Sequence, residues 1–383
     1  MLTSIPNYCL TKISKHLEPK DIFNLSLTNK YLLSLYSKEL FKHYEFKYNQ
    51  TVEFDEEHLN LVRKLVNFNE EPINLHKFKN LKVLDFNESY EHQVSLQNLP
   101  PKIKILKFGF CFKKYFKPLI INLLSNKDFL QKLEELHIGH PAGYIYEDIA
   151  YHSLLPKNLK RLNWKYNEPL NLFQLPQTLI TVHTHNIILE PFSDNRLTNL
   201  KTLIVENYQD IPAIPPNSLP KNLKVLTIWK YNHPLEANTL PENLRKLEFF
   251  SNFNQPINNL ANFCPNIEEL YLGDFDQEVN DPNMFPKTLK KLTFGANFQE
   301  RKILPGVLPE GLEELYLKGC PYAEEFLPGC FPSTLKKLVF EYGFTKPFTK
   351  GVLPDGLEIL DMGSKIKHQL TEDIKPSSLK ELL

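Results

Sequence analysis

Two histidine pairs have the spacing that could support chemistry: His183 with His185, and His137 with His140, which flank Gly139. Imidazoles so placed can share a divalent metal or pass a proton. Each pair stands alone on what reads as a sheet surface, and such a pair is expected to be solvated side chains. The five cysteines, Cys9, Cys111, Cys264, Cys320 and Cys330, are odd in number and scattered, without a C-x-x-C pair. They predict reduced thiols in a cytosolic compartment and argue against zinc. No G-x-x-x-x-G-K-[ST], H-E-x-x-H or G-x-S-x-G stretch occurs, so the strong signals for phosphate cradling, zinc hydrolysis and an activated serine are missing. A hydrolase hidden between Cys111 and Leu155 would lack a nucleophile–base motif. The expectation is a protein without catalysis, metal or cofactor.

Binding chemistry is better represented. Trp229, Phe250, Tyr271 and Tyr316 recur along the second half of the chain, and large, rigid aromatic side chains dominate protein-interface energetics. Their value depends on an element that brings them to one face.

Composition bounds that element. The chain has 383 residues, with 29 Pro against 13 Gly, 27 Phe and 17 Tyr. It is too aromatic for disorder and too proline-rich for long helices or central strands, so the prolines must recur in loops of a repeat array. Formal net charge is zero, which gives no global reason to expect nucleic acid or an anionic membrane as partner. The N-terminus lacks a secretory pattern, and the longest apolar stretch, around Pro118 to Leu124, is far short of a membrane span. A cytoplasmic protein is expected.

The repeat is explicit. LPPKIKILKF from Leu99, LPKNLKRLNW from Leu155, LPKNLKVLTI from Leu219, LPENLRKLEF from Leu240, FPKTLKKLTF from Phe285, LPEGLEELYL from Leu308, FPSTLKKLVF from Phe331 and LPDGLEILDM from Leu353 share one string. With weaker copies included, the first apolar anchor falls at Leu81, Ile103, Leu133, Leu159, Leu179, Leu200, Leu223, Leu244, Ile267, Leu289, Leu312, Leu335, Leu357 and Leu379. From Leu159 onward the anchors are 20 to 23 residues apart, the period of short leucine-rich repeats with one strand per coil. The longer intervals around Leu133 carry insertions, and KPLIINLLSNKDFLQ could hold a helix. Within L-K-K-L-T-F the second Leu and the Phe alternate, which predicts a strand with one buried face and a parallel sheet of stacked coils. A coil cannot bury its apolar edge alone, so its neighbours supply the other wall. The Pro before each strand predicts an extended entry loop. A second motif, FNQPI from Phe253 and FNEEPI from Phe68, blurs into YNEPL from Tyr166, YNHPL from Tyr231 and FTKPF from Phe344. Its aromatic and final aliphatic are expected to fill the coil interior.

Charge supports in-register stacking. The residues after successive anchors alternate in sign: Arg245 and Lys246, Glu268 and Glu269, Lys290 and Lys291, Glu313 and Glu314, Lys336 and Lys337, then Glu358 and Lys380. Strands about 4.8 Å apart would set opposite charges side by side, worth about 0.2–1 kcal/mol per exposed pair. Residues between the buried anchors then project from the open face: Arg161, Asn163, Thr181, His183, Val225, Thr227, Trp229, Lys246, Glu248, Phe250, Tyr271, Tyr316 and Asp361.

Residues 1 to 48 follow a helical period instead. Leu10, Ile13 and Leu17 form a stripe that Pro6 can open and Glu18-Pro19 stops; a second helix runs from Pro19 through Ile22 and Leu25. Thr28 can cap a third, and a fourth reaches toward Phe41 and Tyr44. Residues 49–77 read as a connecting segment with a first degenerate repeat, and 78–383 as the solenoid. The fold class expected is α+β: a small N-terminal helical module followed by a leucine-rich-repeat-like solenoid with a parallel β-sheet.

IPNYCLTKISKHLEPKDIFNLSLTNKYLLSL resembles an F-box, matching it at Ile5, Pro6, Leu10, Ile13, Leu17, Pro19, Asp21, Ile22, Leu25, Leu27, Lys30 and Tyr31. Ile5 replaces the usual Leu, Cys9 an acidic-apolar pair and Tyr31 a common Trp. The repeats resemble the FNIP repeat of social amoebae and giant amoeba-infecting viruses, Phe253 to Ile257 being the nearest copy in the chain. The pairing implies a substrate-recognition adaptor of an SCF-type ubiquitin ligase, monomeric outside the complex. Ile5, Pro6, Leu10, Ile13, Leu17, Pro19, Ile22 and Leu25 would dock a Skp-type linker subunit, and the repeats would hold a target protein, with Trp229, Phe250, Tyr271 and Tyr316 as the candidate groove. The alternative is an interaction scaffold outside ubiquitin transfer whose N-terminal helices only cap the solenoid.

Overall fold

The computed structural model describes residues 46–47, 62–68, 72–86, 90, 94, 99–109, 131–139, 155–165, 169–191, 196–207, 209–298, 300–318, 324–344, 346–363 and 370–383. The helices expected over residues 1–44 and in the segment following Lys117 lie outside these residues. The chain divides into two compact units, Met1–Asn167 and Glu168–Leu383.

In the first unit, β1 (Phe46–Lys47), β2 (Lys64–Phe68), β3 (Val83–Phe86), β4 (Ile105–Phe108), β5 (Glu135–Ile138) and β6 (Arg161–Trp164) pair in chain order, all parallel. Strand β1 lies at the end of the expected 1–48 module, just past the helices expected to reach Tyr44, and β2 brings part of the 49–77 segment into the sheet by pairing Lys64 with Val83.

In the second unit a short pair, β7 (Leu170–Asn171) and β9 (Ile187–Ile188), accompanies one longer parallel sheet. That sheet runs β8 (Thr181–Thr184), β10 (Thr202–Val205), β11 (Val225–Ile228), β12 (Lys246–Phe249), β13 (Glu269–Leu272), β14 (Lys291–Phe294), β15 (Glu314–Leu317), β16 (Lys337–Phe340), β17 (Ile359–Asp361) and β18 (Glu381–Leu382). Register is strict: Lys246, Glu269, Lys291, Glu314 and Lys337 are successive partners, and so are Leu247, Leu270, Leu292, Leu315 and Leu338. In each unit the described strands form a parallel-sheet solenoid. Among the described residues helix is confined to a few turns, including one α turn at Leu260–Phe263. The α part of the expected α+β class is expected in the N-terminal module, which lies outside the described residues apart from Phe46–Lys47. The prolines leave no stretch long enough for helical return segments.

The core follows the sequence period. Anchors Leu159, Leu179, Leu200, Leu223, Leu244, Ile267, Leu289, Leu312, Leu335 and Leu357 are all fully buried. Leu379 is only half-buried. Behind the leucines lie columns of rings. Phe249 stacks on Phe253 at 4.1 Å, Phe294 on Phe298 at 4.0 Å and Phe340 on Phe344 at 4.8 Å. In each pair the strand's last residue meets an aromatic four residues on, which in Phe253 and Phe344 opens the FNxP-type motif, and every one of these rings is buried. This packing combines area burial with favourable ring geometry.

The prolines act differently from the expectation. Instead of an extended loop, the L-P and F-P steps before the anchors, from Leu155 onward, open turns in which the proline carbonyl accepts the anchor's N–H, as in Leu223 to Pro220 at 3.0 Å, Leu289 to Pro286 at 3.0 Å and Leu335 to Pro332 at 3.1 Å. Proline costs nothing there, because the turn uses its carbonyl and makes no demand on an N–H. Two residues before each L-P or F-P, several coils adopt left-handed backbone, at Asn217 (φ 60), Asn238 (φ 63), Gly306 (φ 76), Gly329 (φ 86) and Gly351 (φ 84). Asn and Gly are the residues that tolerate this region.

A ladder of polar side chains joins the turns. Asn199, Asn222, Asn243 and Asn266, each directly before an anchor, donate through Nδ2 to Gln177, Thr198, Lys221 and Glu242 carbonyls at 3.1 Å. Thr288 continues it to the Pro265 carbonyl at 2.8 Å. The FNxP asparagine does the same on the other side of the coil: Asn232 Oδ1 accepts from Asn254 N, and Asn254 Oδ1 from Asp276 N, both at 2.9 Å. Arg301 closes this second ladder with a two-pronged contact to Asp276 at 2.7 and 3.1 Å.

Candidate functional site

The open face of the second unit's sheet shows three rows. The charge ladder occupies the first row and the position just before it. Arg245 meets Glu268 at 2.9 Å, Lys246 meets Glu269 at 3.3 Å, Lys291 meets Glu314 at 3.4 Å, Lys336 meets Glu313 at 2.9 Å and Lys380 meets Glu358 at 2.7 Å. These exposed pairs fix register and contribute little each.

The same device operates in the first unit, where Lys104 and Lys160 both pair with Glu134, Lys160 at 2.9 Å. Hydrogen bonds from these two lysines hold the Glu134 carboxyl at about 2, below its ordinary 4.5. A depressed carboxylate stabilises the fold above its unfolded pKa, and that contribution is lost as pH falls through the folded value. The contribution is thus expected in full above about pH 4.5 and to disappear toward pH 2. An NMR titration of the Glu134 side chain checks this, and Lys104→Ala with Lys160→Ala should return its midpoint toward 4.5.

Row two runs His183, Ile204, Thr227, Glu248, Tyr271, Thr293, Tyr316 and Val339 through successive partners. Row three is one step beyond the strands: His185, Glu206, Trp229, Phe250, Gly273, Gly295, Lys318 and Glu341. Row three stays stitched to the sheet, with Trp229 N donating to Val205 O at 2.9 Å, Phe250 N to Ile228 O at 3.0 Å and Gly273 N to Phe249 O at 2.7 Å.

Trp229, Phe250 and Tyr271 meet here. Trp229 and Phe250 stack with centroids 5.3 Å apart, and Phe250 and Tyr271 tilt against each other at 4.9 Å. The result is a staircase across β11, β12 and β13, with Phe250 exposed and its neighbours half-buried. Gly273 gives it a bare edge. A Cβ at Gly273 would lie 1.8 Å from the Phe250 carbonyl oxygen, so close coil approach requires glycine there. Tyr316 lies two strands further on and is engaged otherwise: Lys291 and Lys337 lie 4.9 and 5.5 Å from its ring centroid, and its hydroxyl donates to Glu314 at 2.8 Å.

Other face positions depart from the expectation. Thr227 is 5% exposed rather than projecting, its hydroxyl donating to Glu248 at 2.7 Å. The histidines are not simply solvated: His183 Nε2 lies 2.9 Å from Glu206 Oε2, and His185 is buried. His137 pairs with Glu135 at 2.7 Å, a carboxylate that also receives Arg161 at 3.2 Å. Among the described residues no group of three histidine, cysteine or acidic side chains is placed to hold a metal. Cys264 and Cys330 are free and buried, and burial pushes the Cys264 thiol up to about 12, which keeps it protonated and unreactive. The eight F-box positions from Ile5 to Leu25 lie outside the described residues.

Comparison with known proteins completes the site. The F-box domain model matches residues 2–43, and the FNIP Repeat model matches 231–275, 261–297, 298–343, 322–365 and 344–382. No curated protein matches the chain. Among solved structures, the chain is similar to CroV588, titled a novel circular LRR protein structure, with 22% identity and a TM-score of 0.54 over 86% of this chain. It is likewise similar to TLR13 in a TLR13–ssRNA13 complex, with 15% identity and a TM-score of 0.54 over 92% of this chain. The alignments span 57% and 58% of those two chains, and at these identities they establish the fold alone. An N-terminal F-box, strands stacked once per repeat and the matched FNIP motifs together make this chain an F-box and FNIP repeat-containing protein.

Proposed function

We propose that the protein is the substrate-recognition adaptor of an SCF-type ubiquitin ligase, acting in the cytoplasm and monomeric outside that complex. Residues 1–48 form the F-box module that docks a Skp-type linker subunit through Ile5, Pro6, Leu10, Ile13, Leu17, Pro19, Ile22 and Leu25. The segment 49–77 joins it to the repeats of 78–383, which hold a target protein. The protein performs no chemistry of its own; transfer belongs to the ligase it recruits.

The observation that supports this reading most is the pairing of an F-box match with a rigid sheet that presents Trp229, Phe250 and Tyr271 as one stacked surface. Stacked aromatics on a stiff scaffold lose little entropy on binding, which suits a docking hot spot. The test is co-precipitation with a Skp-type linker. Binding by the wild-type chain, lost on Pro6→Ala with Leu10→Asp, is the expected result. A wild-type chain that captures no linker would instead favour an N-terminal module that only caps the repeats.

A further inference from the structure

Three carboxylates bias the charge at the end of the aromatic staircase. Glu248 is Tyr271's partner on β12, Asp274 follows Gly273, and Glu341 stands in row three on the β16 coil. All three act on the Tyr271 hydroxyl, which burial first, and then Asp274, Glu341 and Glu248, hold above the ordinary phenol range. Rows two and three from β10 to β16 carry Glu206, Glu248 and Glu341 against one cation, Lys318. Other cations nearby are Lys230, next to Trp229, and Lys246, which is engaged by Glu248 at 2.9 Å and Glu269 at 3.3 Å.

The sheet shows elsewhere what such a ring accepts. Tyr316 takes two cations of the chain itself, Lys291 and Lys337. Among the described residues no cation of the chain lies over Trp229, Phe250 or Tyr271. An aromatic face beside carboxylates attracts a positive group twice, through the ring quadrupole and through charge. Arginine suits it best, because its planar guanidinium stacks on rings while its N–H groups reach carboxylates.

We propose that the Trp229–Phe250–Tyr271 staircase binds an arginine side chain of the target, so that the protein held on this face presents a basic segment. The inference rests on the reading of this face as the target-binding surface. It fixes the partner's chemistry: an exposed, extended, arginine-bearing stretch.

Three short peptides on the same Gly-Ser backbone, carrying arginine, citrulline or glutamate at the same positions, test it with the full chain. Of the two tryptophans, Trp164 is 1% exposed, so a change in tryptophan emission reports Trp229. The arginine peptide is expected to shift this emission and bind about tenfold more tightly than the citrulline peptide, weakening as salt rises. By anisotropy of a labelled arginine peptide, Trp229→Ala should lower affinity about tenfold and Glu341→Gln severalfold, with circular dichroism unchanged. Citrulline or glutamate peptides binding as well as arginine would overturn the cation preference while leaving the face as a docking surface. Failure of the arginine peptide to bind at millimolar concentration would overturn the proposal outright. Linker co-precipitation is independent of either outcome, and a native target captured unchanged by Trp229→Ala with Tyr271→Ala would instead remove the docking surface itself.

Discussion

Phe294→Ala should destabilise the second unit by about 3–5 kcal/mol, the cost of emptying a large aromatic site in a close-packed interior. Phe294 ends β14 and is fully buried, with Phe298 stacked at 4.0 Å, Phe275 at 6.0 Å and Phe285 at 6.4 Å. Its neighbours cannot collapse into the space without giving up their own packing: Phe285 and Phe298 of the same coil and Phe275 of the preceding one are themselves buried. In a stacked array the loss also weakens the interfaces on both sides, so the unfolding transition should broaden as well as move. Urea denaturation followed by circular dichroism measures both. Leu327→Ala serves as the control: Leu327 is 54% exposed, and its loss should stay within about 0.5 kcal/mol. Equal effects from the two substitutions would refute the stacked-ring core.

Gly273→Val should cost about 3 kcal/mol, at the upper end for overpacking, because the obstacle is main chain. The added Cβ would fall 1.8 Å from the Phe250 carbonyl oxygen and 2.5 Å from its carbon. No rotamer relieves that overlap. The β13 coil must move away from β12, which breaks the 2.7 Å bond from Gly273 N to Phe249 O and separates Phe250 from Tyr271. Gly306→Ala offers the contrast. A Cβ there meets nothing within 4 Å, and only its φ of 76° opposes the change, a cost of about 1–2 kcal/mol. Thermal melts rank the two, and Trp229 emission should shift for the first alone. A Gly273→Val chain that melts like the wild type would show that the coils are not in this close contact.

Much of the architecture was legible because a solenoid repeats its physics. An anchor leucine every 20 to 23 residues requires the same burial in every coil, and the anchors from Leu159 to Leu357 are buried. Alternating charge after the anchors has meaning only if the strands align, and Lys246, Glu269, Lys291 and Glu314 do pair across neighbouring strands. The asparagine ladder was not read from the sequence, although an Asn stands before each of Leu200, Leu223, Leu244 and Ile267. A single coil gives no reason for it, since its acceptors are carbonyls about 22 to 24 residues earlier. The proline turns were misjudged because a missing N–H is as compatible with a turn's first residue as with an extended strand.

The candidate face divides in the same way. Parity along each strand placed Trp229, Phe250, Tyr271 and Tyr316 on one side, since alternate residues share a face. Distance across the sheet was not available from parity. The three-dimensional register joins Trp229, Phe250 and Tyr271 and leaves Tyr316 two strands away between lysines. His183 likewise meets Glu206 from the next coil, a partner 23 residues on.

The sequence by itself determined the repeat, its strand, its buried side and the F-box and FNIP signatures, because periodicity and local stereochemistry act within a few residues. Only the tertiary structure decided which outward side chains touch. It also decided where glycine is compulsory, because those outcomes depend on how closely one coil lies on the next.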